Sequence, residues 1–83
     1  MAYITDAEMV SNARYHQNYA NEWARRNNIE ERDVHLTQRN YWLWRLRDRG
    51  FDIPQHSTAE AISIALDAAV SKIDRTAIYG EQQ

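Results

Sequence analysis

NIEERDVHLTQRNYWLWRLRDRGF, residues 28–51, is the stretch on which the fold turns. Its two ends decide how the middle is read. Asn28 stands three residues before Glu31, the spacing of a helix N-cap and its returning carboxylate, and Glu30, Glu31 and Asp33 suit the positive end of a helix dipole. At the other end Gly50 can take the left-handed position just past a helix. Phe51 then sits where a Schellman turn brings it against Leu46, and Arg45, Arg47 and Arg49 complement the negative end. The segment is therefore expected to be one continuous helix over residues 29–49, with Val34–Thr37 inside it. Leu36, Trp42, Leu43 and Leu46 make one face, while Tyr41 and Trp44 project elsewhere. A helix apolar on several sides is normally packed on several sides.

The flanking segments carry the same punctuation. Thr5-Asp6-Ala7-Glu8 has capping-box spacing, with Ile4 and Met9 at the staple positions, and opens a helix expected over residues 6–27. Within it Met9, Ala13, His16, Ala20, Trp23 and Asn27 step by four and three, and Tyr15, Tyr19 and Trp23 form an aromatic stripe beside that seam. Pro54 disfavours helix at Ile53, so residues 52–56 read as a loop. Ser57-Thr58-Ala59-Glu60 repeats the capping box and starts a third helix over residues 58–79, ending at Gly80 with Glu81-Gln82-Gln83 fraying beyond. Its seam is Ala59, Ile62, Leu66, Ala69, Ile73 and Thr76, with Ala65 and Val70 beside it and Ile64 off it. The expectation is an all-α, compact three-helix domain over residues 1–83, self-associating, most simply as a two-fold dimer.

Bulk composition supports the dimer expectation. The 83 residues are 43% apolar, with four leucines and one phenylalanine, so the core is thin. Chains this short usually need a staple. With no cysteine, disulfides and thiolate metal sites are excluded, which leaves association. Absent cysteine, no basic-then-apolar leader pattern and no apolar run of about 18 residues together predict a cytoplasmic protein off the membrane. The net charge of −2 argues against indiscriminate polyanion binding. Between Arg25 and Arg49, however, seven basic residues face four acids, a local excess of +3.

No catalytic motif is legible: there is no phosphate-cradling glycine loop, nucleophile elbow or zinc-protease pattern. The only metal-like spacing, Glu31 and His35, supplies two ligands of an incomplete set, and His16 on the first seam reads as a hydrogen-bonded core or interface histidine. No catalytic residue, metal or cofactor is predicted, and the chain is read as a non-enzyme. The sharpest feature is Tyr41, Trp42, Trp44, Arg45 and Arg47 within seven residues, since Trp, Tyr and Arg are the types enriched at interface hot spots. The predicted partner-binding residues are Tyr41, Trp44, Arg45 and Arg47, with Tyr15 and Tyr19 from the first helix.

Ser57-Thr58-Ala59-Glu60-Ala61-Ile62 followed by Ala65-Leu66 resembles the second helix of ribbon-helix-helix repressors and antitoxins, with Asp33-Val34-His35-Leu36-Thr37 in the place of their DNA-reading strand. That resemblance implies a DNA-binding regulator whose residues 33–37 are extended. The reading from the residues themselves is a small helical protein-binding or regulatory protein, of the accessory-factor or phage-inhibitor kind. It expects a protein partner, with nucleic acid as the alternative.

Overall fold

The computed structural model describes residues 3–55 and 57–81. Three helices account for most of them: α1 (Asp6–Arg25), α2 (Ile29–Asp48) and α3 (Ala59–Glu81). The described residues contain no strand, and Asp33–Thr37 is helical within α2. The extended segment implied by the ribbon-helix-helix resemblance is thus not formed.

Local chemistry sets the boundaries. The Thr5 hydroxyl oxygen accepts from the Glu8 amide at 3.1 Å, and Asn28 Oδ1 accepts from the Glu31 amide at 3.1 Å. The returning half of the second box is replaced, because the Asn28 N–H donates to Trp23 O at 2.9 Å. That bond belongs to the turn that ends α1 two residues earlier than expected. Asn27 adopts φ 58 and its N–H donates to Ala24 O at 3.1 Å, so a Schellman motif is built on asparagine, a residue that tolerates the left-handed region. The end of α2 follows the expected pattern closely. Gly50 sits at φ 94, its N–H donates to Arg47 O at 2.9 Å, and the Phe51 N–H reaches Leu46 O at 3.0 Å. At α3 the cap is Thr58, whose Oγ1 accepts from the Ala61 amide, while Ser57 Oγ donates back to Gln55 O. The capping role therefore falls one residue later than read. The helix also runs through Gly80 to Glu81 instead of stopping at residue 79. His56, Gln82 and Gln83 lie outside the described residues.

α1 and α2 form an antiparallel hairpin, as shown by the cross-helix pairs Asp6–Arg49, Gln17–Arg39 and His16–His35. Fully buried Ala13 and Ala20 let the two helices approach closely. α3 lies against α1 with Arg14 paired to Asp67, and among the described residues its backbone does not come close to α2. It also covers only part of the hairpin, since its first turns stand opposite Asn18 and Gln17 and its later ones opposite Asp6. The core lies in that covered part: Met9, Val10 and Ala13 meet Leu43 and Leu46 of α2 and Ile62, Leu66 and Ala69 of α3. Phe51 and Ile53 complete it from the connecting loop. Lys72 caps this end, its Nζ 4.9 Å from the Phe51 ring centroid and 3.3 Å from Gly50 O.

One further tie holds the loop. Arg47 Nε donates to Ile53 O at 2.6 Å and Nη2 to Pro54 O at 3.0 Å, so a half-buried guanidinium satisfies two carbonyls just where the chain leaves the core. Hydrogen bonds to a charged donor contribute about 1.5–3 kcal/mol each, and losing one leaves a carbonyl to find water. Arg47→Ala is expected to lower unfolding stability by about 1–3 kcal/mol. Urea denaturation followed by circular dichroism measures this, and Arg47→Lys should recover only part of the loss because an ammonium lacks the planar fork.

Candidate partner-binding surface

Because α1 occupies one side of α2 and α3 stands away, the opposite side of α2 is left to solvent. The residues there are Val34, Thr37, Tyr41 and Trp44, spaced by three, four and three, which aligns them along one face. Val34 is 52% exposed, Tyr41 47% and Trp44 59%, large fractions for an aligned apolar set. The Tyr41 and Trp44 rings lie 6.4 Å apart, and half-buried Trp42 meets Tyr41 edge-on at 4.9 Å. Arg45 lies over both Tyr41 and Trp42, its guanidinium carbon 5.9 and 5.7 Å from the two ring centroids. The cation is thereby oriented by the fold itself, which would lower the entropic cost of any further contact it made.

The six predicted residues separate into three groups. Tyr41, Trp44 and Arg45 stand together on the outer side of α2. Arg47, one hundred degrees per residue further round, turns toward the loop and is held by the Ile53 and Pro54 carbonyls. Its first role is structural. Tyr15 and Tyr19 are exposed on α1, their rings tilted against each other with centroids 4.7 Å apart, and no ring contact joins them to Tyr41 or Trp44 among the described residues. Val34 and Thr37, which complete the stripe on α2, escaped the sequence reading. The signal was the three-four spacing through Val34, Thr37, Tyr41 and Trp44, masked by a threonine in the seam.

Tyr15 and Tyr19 belong instead to a cluster that bridges α1 and α2. His16 Nδ1 and His35 Nδ1 are 3.0 Å apart, Tyr19 stacks on His35 with centroids 5.3 Å apart, and Tyr15 meets His16 edge-on at 5.0 Å. A hydrogen bond between two Nδ1 atoms needs one protonated and one bare nitrogen, which two neutral imidazoles supply and two imidazolium ions do not. Among the described residues no group of three His, Asp or Glu side chains is placed to hold a metal ion. The clefts between helices, one of about 390 Å³ beside Phe51 and Lys72, are shallow and open to solvent.

Compared with protein-family models, curated proteins and solved structures, the chain has no significant match. The functional reading therefore rests on the surface just described.

Burial, and then the neighbouring His35, lower the pKa of His16 below its ordinary 6.5. A depressed imidazole favours the neutral form in the fold. Below about pH 6.5 the unfolded chain therefore takes up more protons, so this contribution is complete above that value and is lost as pH falls toward the lowered pKa. Thermal unfolding at about pH 7.5 and about pH 5.5 is expected to show a drop in Tm that is smaller in His16→Gln. An equal drop in both proteins would assign the pH dependence to other groups.

Proposed function

We propose that this chain is a non-enzymatic, cytoplasmic protein-binding module that regulates a larger protein by docking the outer side of α2 against it, in the manner of an accessory factor or a phage-type inhibitor. The observation that carries the reading is the aligned exposure of Val34, Tyr41 and Trp44 beside an arginine already oriented by Tyr41 and Trp42. Aromatic rings supply large contact area at low conformational cost, and a guanidinium held over them can pair with a carboxylate on the partner. The clustering of rings and arginine on one helix also suits stacking on bases. The net charge of −2 and the helical state of residues 33–37 favour protein over DNA.

Trp44→Ala is expected to fold normally, since Leu43 and Leu46 fill the core independently of it, and to weaken partner binding by about 30- to 800-fold, the range of a 2–4 kcal/mol hot-spot loss. Ile64→Ala, on an exposed position of α3, is the control and should bind like wild type. Binding is measured with a partner captured from the native host, at two salt concentrations. Mild weakening with salt accords with an aromatic protein interface, whereas steep weakening signals counterion release from nucleic acid. Undiminished binding by folded Trp44→Ala would overturn the proposal.

A further inference from the structure

The outer side of α2 has a charge pattern that matches itself when reversed. Written as a heptad, Val34, Tyr41 and Asp48 occupy one seam position, and Glu30, Thr37 and Trp44 the other. One flank of the seam carries Glu31, Gln38 and Arg45, and the other carries Asp33, Asn40 and Arg47. In an antiparallel pair of such helices each seam position of one type faces the other type in the partner. Residues on a given flank then face the same flank run in reverse.

We infer that, when the larger partner is absent, a second copy of this chain covers this surface, with the two α2 helices antiparallel about a two-fold axis near residue 39. In that register Val34 faces Trp44 of the second copy and Thr37 faces Tyr41, each layer occurring twice. Glu31 faces Arg45 of the second copy, also twice. At the axis each residue must meet its own twin, which forbids a lone charge and suits an amide that both donates and accepts. Gln38 and Asn40 stand there. A parallel pair forms none of these charge matches, since it sets Asp33 against Gln38 and Asn40 against Arg45. Charge complementarity therefore selects both the partner and the orientation.

The two flanks are not equivalent. On the second, Asp33 is already paired with Arg32 at 2.8 Å, Asn40 accepts from Arg39, and Arg47 is held by the loop. On the first, Glu31 and Arg45 have no oppositely charged partner among the described residues, so the second copy supplies what the fold leaves unmatched. Glu30 and Asp48 meet as like charges at the two wet ends, where water screens them and limits the seam to four layers. A seam this short lies below the size of standard stable interfaces, so the dimer is a weak one, with a dissociation constant on the order of micromolar or above.

This assignment rests on the reading of the outer side of α2 as a binding surface, and it is tested with purified full-length protein. Sedimentation of wild type is expected to show a concentration-dependent monomer–dimer equilibrium. Glu31→Arg and Arg45→Glu each place like charges opposite each other twice, and each should weaken dimerisation about tenfold or more. The double variant Glu31→Arg/Arg45→Glu should restore it to within about threefold of wild type. Because Arg45 also stacks on its neighbours, a second pair guards the result. Gln38→Lys and Gln38→Glu, at an exposed position, should each be monomeric alone and form a mixed dimer together. Wild type that stays monomeric at about 500 μM, well above a micromolar constant, would overturn the inference. So would a double variant no better than the worse single, or a Gln38 pair that fails to combine. If wild type is monomeric while Trp44→Ala still abolishes partner capture, self-pairing falls and the partner reading stands. If the charge-reversed pairs dimerise while Trp44→Ala leaves capture intact, the partner reading falls alone.

Discussion

The close approach of α1 and α2 at Ala13 and Ala20 governs the rest of the molecule. Two helices can come together along their length only where side chains are small, and these alanines clear that path on α1. The approach uses the inner side of α2, where Leu43 and Leu46 are buried, and turns the hydrophobic remainder of that helix outward. The exposed stripe is therefore a by-product of how tightly the other side is packed, and the same constraint that makes the hairpin makes the surface.

The third helix answers a different need. A two-helix hairpin buries too little apolar area to be stable alone, and α3 adds Ile62, Leu66 and Ala69 to the same cluster. It reaches that cluster with the help of the loop, where Phe51 and Ile53 fill the space between α2 and α3. Their backbone course depends on the left-handed turn at Gly50 and on the Arg47 guanidinium holding the Ile53 and Pro54 carbonyls. A single basic side chain thus connects the end of one helix to the direction of the next.

What could be read in advance follows from how local each determinant is. The Gly50–Phe51 turn was legible because one residue's need for positive φ decides it, and spacing gave Met9, Ala13 and Ala20 of α1 and Ile62, Leu66 and Ala69 of α3, though not buried Val10 beside the first seam. The end of α1 was not. Arg25-Arg26-Asn27-Asn28 offers two asparagines, and which one turns left-handed and which one caps depends on both helices at once. Ser57 and Thr58 pose the same ambiguity in miniature. Arg47 was grouped with Trp44 by nearness in sequence, yet its angular position sends it to the loop, whose path was not readable. The His16–His35 contact spans two helices and has no signature in either one. The outer stripe was half visible: its aromatic end declared itself, while Val34 and Thr37 looked like ordinary surface residues.

Because α3 stands opposite only part of the hairpin, the molecule is unevenly braced. The end carrying Leu43, Leu46 and Phe51 is packed from three directions, whereas the end around the Asn27 turn is held by one helix on another. Opening of that thinly braced end exposes less apolar surface and so lies at a lower free energy than global unfolding. The outer stripe runs across both regimes, with Trp44 on the firm part and Val34 on the yielding part. A partner docked as proposed would meet a rigid platform at Trp44 and a helix end able to adjust its path at Val34, so one short surface would combine a fixed anchor with an adaptable tail.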